Sequence, residues 1–130
     1  MILIDTHILL WLALEEEKLS ENARKAIAEA RKSSVALAIS DISLWEISFA
    51  ARKNRIRLSM GAQDFFDETE KRFQVLPINA RSSELAAHLP GSFPKDPADR
   101  IIAGTALARG IPLITADGAI RRYRPLTTIW

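Results

Sequence analysis

Five short, mainly apolar runs of β-strand length constrain this chain most: residues 1–5, 35–39, 75–78, 111–115 and 127–130. Helix-forming sequence separates them. Segment 7–14 is apolar on nearly every side and reads as a short packed helix. Segment 20–33 is amphipathic, with Ala23, Ile27 and Ala30 at spacings of four and three and Ser20 as N-cap. Ser40 or Asp41 opens a helix reaching Lys53, with Ile42, Trp45, Phe49 and Ile56 expected on its inward face and Asn54 as a left-handed terminator. Further helices are expected over 60–72, 80–88 and 118–123. Another begins at Pro97 with Asp96 as its N-cap, and its inward stripe is Ile101, Ile102, Thr105 and Ala106. Strands alternating with helices imply an α/β fold: one mostly parallel central sheet with helices on both faces.

That topology gives four acidic residues a common address. Asp5 closes the first run, Glu46 lies in the helix after the second, Asp99 opens the helix before the fourth, and Asp117 follows the fourth directly. Open parallel sheets place their sites at the carboxyl ends of the strands, where these acids converge. Carboxylates brought together repel and stay ionised only around a shared cation. A hard, oxygen-loving ion, Mg²⁺ or Mn²⁺, suits such a set.

Composition narrows the alternatives. At 130 residues and 48% apolar the chain is expected to form a single domain, residues 1–130, around one buried core. With no cysteine, disulfides, thiolate catalysis and cysteine-ligated metals are excluded. The opening residues carry no basic leader and the apolar stretch 8–14 is too short to span a bilayer, so a cytoplasmic protein without a membrane partner is expected. Net charge is only +2, but cations cluster at Arg52, Lys53, Arg55 and Arg57, and again at Arg121, Arg122 and Arg124 around Tyr123. Either cluster suits phosphate contact, with Tyr123 offering a stacking face; either is equally a solvated helix end.

The motifs Ile-Leu-Ile-Asp-Thr-His, Ser-Leu-Trp-Glu-Ile, Asp-Pro-Ala-Asp-Arg-Ile-Ile-Ala and Leu-Ile-Thr-Ala-Asp occur in that order over essentially the whole chain. Together they resemble a PIN-domain ribonuclease, specifically a VapC-type toxin of a toxin–antitoxin pair. The resemblance implies a PIN-like three-layer domain with strand order 3-2-1-4-5 and a metal site on Asp5, Glu46, Asp99 and Asp117. Thr6, Thr115 and Asp96 match supporting positions, Asp96 doubling as a cap. The chain departs from the pattern at Ala50, where many relatives carry a lysine; Arg52 and Lys53 are the nearby candidates to replace that charge. Also implied are a structured RNA substrate, a cognate antitoxin and a homodimer built from the helices near 20–33 and 42–53. Arg52, Lys53, Arg55 and Arg122 are the candidate RNA contacts.

Other functions on this architecture lack their residues. A haloacid-dehalogenase-like phosphatase wants a second aspartate two residues after the first, where His7 stands; a response-regulator receiver wants an early acidic pair and a late lysine. His7 is expected to be structural and His88 a surface residue, so metal-free acid–base cleavage is poorly supplied. The competing reading is a catalytically silent PIN-like module that binds RNA or protein; four intact acids speak against it.

Overall fold

The computed structural model describes residues 1–130. Strand β1 (Ile2–Ile4) leads into helix α1 (Thr6–Leu14), a 3₁₀ turn (Glu16–Lys18) and α2 (Glu21–Lys32). Next come β2 (Leu37–Ser40), α3 (Asp41–Arg52), α4 (Ala62–Arg72), β3 (Gln74–Leu76) and α5 (Ala80–Ala87). The chain continues through α6 (Pro97–Arg109), β4 (Leu113–Ile114), α7 (Gly118–Arg122) and β5 (Thr128–Ile129). The sheet order is β3-β2-β1-β4-β5 and every pairing is parallel. The expected order and layering are therefore observed, and the sheet is wholly rather than mostly parallel. No helix is long and apolar enough to cross a membrane.

Successive residues of a strand point to opposite faces, and the core divides accordingly. Ile4, Leu37, Ile39 and Ile114 pack beneath α1–α4 with Ile8, Ile27, Ile47 and Phe65. Their neighbours Leu3, Ala38 and Leu113 pack on the other face with Ile102, Ala103 and Ala106 of α6. Here α5 and α6 approach so closely that a Cβ on Gly104 would lie 2.4 Å from the Ser82 carbonyl oxygen. Glycine is required at that crossing.

Most boundaries fall within a residue or two of those expected. Ser20 caps α2 by accepting from the Ala23 N–H, Asp96 caps α6, and Asn54 takes the left-handed conformation (φ 54°) after α3. Three expectations need correction. Val35 lies outside β2 and is exposed. In α3 the inward residues are Ser43 and Ile47, not Trp45 and Phe49, which are 59% and 38% exposed. Half a helical turn separates the two stripes, and the rotation that turns Glu46 toward the carboxyl ends of the strands turns the aromatics outward. Finally, α2 buries its whole apolar stripe (Ala23, Ile27, Ala30) in its own core, leaving no apolar face for a second copy.

Candidate active site

Parallel strands β1 and β4 are neighbours, so their carboxyl ends bring Asp5 and Thr115 together across 110 residues of sequence. Asp5 is only 2% exposed. It acts as N-cap of α1: Oδ1 accepts from the Thr6 N–H at 2.8 Å, and Oδ2 accepts from the Thr115 hydroxyl at 2.7 Å. Thr115 Oγ1 in turn accepts from the Asp117 N–H at 3.1 Å, and Asp117 Oδ1 caps α7 through the Ile120 N–H at 2.9 Å. Two aspartates, one on either side of the same threonine link, are thereby fixed relative to each other.

Glu46 is held from the opposite side. The Thr6 hydroxyl lies 2.5 Å from Glu46 Oε1 and 2.8 Å from Ser43 Oγ. One hydroxyl carries one proton, so donation to Glu46 leaves Ser43 as the donor to Thr6. Ser43 is fully buried and is not among the residues expected from the sequence; its spacing of three before Glu46 is the available signal. His7, expected to be structural, is so. Its Nε2 accepts the Ala116 N–H at 3.0 Å, which places the ring proton on Nδ1, 3.6 Å from Asp5 Oδ2. The imidazole therefore ties the β1–α1 junction to the segment after β4.

Asp99 comes from the first turn of α6. Its entry angle is set by Arg100, whose guanidinium donates to the carbonyls of Leu89, Pro90 and Pro94 and so fastens the preceding loop. Nothing in the sequence marks Arg100, because its partners are backbone oxygens, which no motif records. Asp96 sits at the rim, with Oδ1 accepting from the Ala98 N–H at 2.8 Å.

Asp5, Glu46 and Asp99 line one pocket with Thr6, His7, Leu10 and Ala50, and Asp117 stands close enough to act on both Asp5 and Asp99 electrostatically. Burial raises the Asp5 carboxyl, more than His7 and the Thr115 and Thr6 hydrogen bonds lower it. Glu46 is likewise raised by burial, against the Thr6 hydrogen bond. Asp99 is pushed up to about 7, first by burial and then by the charges of Asp5, Asp96, Glu46 and Asp117. Nothing among these influences on Asp99 offsets the repulsion.

A divalent cation would. The donors are all oxygens, as a hard ion requires. Three or more of them do not close on a single point. Mg²⁺ needs only one or two carboxylates and keeps its waters, so a ring of acids around a pocket fits it.

The basic clusters are separate from this pocket but differ from each other. Arg55, rather than Arg52 or Lys53, lines the groove that adjoins the acids beside Ala50. Arg52 and Lys53 are exposed, as is Arg122, which borders a small cleft with Tyr123 on the far side of the sheet's second core. Tyr123 packs edge-on against Phe93 (5.7 Å, 84°), so that ring is engaged with the core.

Comparison with known proteins agrees with this construction. Residues 2–125 match the PIN domain. Ribonuclease VapC22 of Mycobacterium tuberculosis is 33% identical over 132 residues, covering 99% of this chain and 98% of that protein. Among solved structures, VapBC2 from Rickettsia felis bound to a promoter DNA fragment aligns with TM-score 0.76 at 19% identity, over 98% of this chain and 97% of that one. A toxin–antitoxin complex from Klebsiella pneumoniae aligns with TM-score 0.66 at 21% identity, over 98% and 97%. At such identities the two structures speak to the fold alone. With the family matched over nearly the whole chain and a relative one-third identical from end to end, the chain belongs to the PIN domain family.

Proposed function

We propose that this protein is a Mg²⁺- or Mn²⁺-dependent endoribonuclease acting as the toxin of a toxin–antitoxin pair. The single observation behind the chemistry is the acid pocket, where Asp99 is pushed to about 7 by burial and by four other carboxylates, with no cation of the chain to answer them. Support for the substrate class comes from the relative named a ribonuclease, similar over the full length of both chains. Asp5 and Asp99 hold the ion directly; Glu46 and Asp117 complete the site or act through water. When bound, such an ion neutralises phosphate charge and lowers the pKa of a water positioned for in-line attack.

The chain's own residues do the positioning. Thr115 and the Thr6 N–H keep Asp5 in one orientation, and Thr6, backed by Ser43, keeps Glu46 in another. His7 has both ring nitrogens engaged, so it is poorly placed to serve as a free general base. Attack by water leaves a 5′-phosphate and a 3′-hydroxyl. Structured cellular RNA, transfer or ribosomal, is the expected substrate, read through loop shape and unpaired bases.

A nuclease of this kind must be restrained in the cell that makes it. The Klebsiella neighbour is a toxin–antitoxin complex, which supports an antitoxin partner for this chain in the cytoplasm. A homodimer is proposed with it. Because α2 is consumed by the core, α3 alone of the two expected helices retains exposed apolar residues.

The test is cleavage of a structured RNA pool by purified protein, with product ends mapped. Mg²⁺ or Mn²⁺ should yield 5′-phosphates, and both EDTA and Asp5→Asn should abolish the products. Cleavage that persists through both treatments refutes the metal mechanism; RNA binding without any turnover points to the silent module.

A further inference from the structure

The face that α3 turns to solvent is built in a way the acid pocket does not explain. Trp45 and Phe49, one helical turn apart, stack with ring centroids 5.2 Å apart and planes 15° from parallel. A large exposed tryptophan normally costs solubility and is buried when the fold allows it. Beside the pair runs a groove of about 650 Å³ lined by Ile42, Phe49, Arg55 and Pro97. The groove shares Glu46 and Ala50 with the acid pocket, so the two cavities are continuous along α3. The short Ala50 side chain forms their common wall.

Cations surround the aromatics. Lys53 Nζ and Arg55 Cζ each lie 5.7 Å from the Phe49 ring centroid. Arg52, Lys53, Arg55 and Arg57 make none of the chain's salt bridges, which all involve His7, His88, Arg72 or lysines on other elements. A flat aromatic platform with unneutralised cations at its edge matches a nucleotide, whose base stacks while its phosphates take the charge. Within the groove the opposing charges are Glu46 and Asp96, and the Asp96 carboxylate is occupied in capping α6.

We propose that the Trp45–Phe49 face is a base-stacking subsite for an unpaired nucleotide of the RNA that enters the acid pocket, with Arg55 and Lys53 meeting its phosphates. This rests on the ribonuclease reading and gives that site a way to grip single-stranded RNA. A second copy of the chain is the competing occupant of an exposed aromatic pair. Charge disfavours it, because a twofold contact across this face would set one cation cluster against its duplicate.

Equilibrium binding in EDTA separates stacking from turnover. Labelled oligouridylate and an abasic oligoribose-phosphate of equal length carry the same charge and differ only in bases. The intact chain should bind oligouridylate about tenfold more tightly than the abasic oligomer. Trp45→Ala should erase that preference, Trp45→Phe should restore most of it, and Arg55→Ala should weaken both oligomers equally. Equal binding of the two oligomers by the intact chain overturns the proposal. So does a Trp45→Ala variant that keeps the preference while sedimenting as a smaller species, which assigns the face to a second copy. Failure of Mn²⁺-dependent cleavage would strike the ribonuclease reading and leave this readout standing.

Discussion

Replacing Asp99 by asparagine should make the metal-free protein more stable, and the gain should appear as pH rises toward neutrality. In the folded chain the Asp99 carboxyl is raised from 3.8 to about 7 by burial and by four neighbouring acids. A group that holds its proton more tightly folded than unfolded favours the fold most below its unfolded value. That contribution is lost as pH rises through its folded value. At pH 4 the folded protein keeps the proton and the unfolded chain largely keeps it too, so the penalty is small. Between pH 4 and 7 folding must take up a proton; by pH 8 the carboxylate must instead ionise against its neighbours, and the penalty is complete. For a fully shielded group the shift would correspond to about 4 kcal/mol. Asp99 is only half-buried, so screening by water brings the expected penalty to about 1–2 kcal/mol.

The asparagine side chain is neutral at every pH and escapes the penalty. The melting temperature of Asp99→Asn should exceed that of the parent by roughly 3–10 °C at pH 8 in EDTA, with little difference at pH 4. Thermal unfolding followed by circular dichroism across that range reads the effect. Adding Mn²⁺ at pH 8 should stabilise the parent and narrow the gap, because the ion does for four acids what the substitution does for one. A gap of the same size at both pH values, or a less stable Asp99→Asn at pH 8, refutes the electrostatic reasoning.

Two further substitutions probe the supports. Thr115→Val removes the donor to Asp5 Oδ2 and the acceptor for the Asp117 N–H, so the Asp5 carboxyl should rise further. The acidic limb of the cleavage pH profile should move to higher pH, and activity at pH 7 should fall about 10- to 100-fold. Gly104→Ala drives a methyl against the Ser82 carbonyl and should destabilise the fold by roughly 1–3 kcal/mol in denaturant titration, even though alanine is the better helix former.

The sheet was legible because parallel strands buried on both faces leave short continuous apolar runs, and their alternation with helices leaves few topologies. Two of the acids were legible for a related reason: Asp5 directly follows Ile4 at the end of β1, and Asp117 lies just past β4. The orientation of α3 was not. Its sequence offers two stripes, Trp45–Phe49 and Ser43–Ile47, and hydropathy favours the aromatic one. The structure chooses the other, because Ser43 is needed against Thr6 and Glu46 must face the pocket. The contacts of Arg100 and His7 escaped for a different reason: their partners include backbone groups brought near by folding, and a motif names only side chains.

The central claim is that these carboxylates are gathered to hold a divalent ion. Titration of Mn²⁺ into the metal-free protein at pH 7.5, followed by the electron paramagnetic resonance of the free ion, addresses it without RNA or a partner. The intact chain should take up Mn²⁺, and Asp5→Asn and Asp99→Asn should not, while their circular dichroism spectra remain those of the folded protein. Uptake that is undiminished in both variants would contradict the claim.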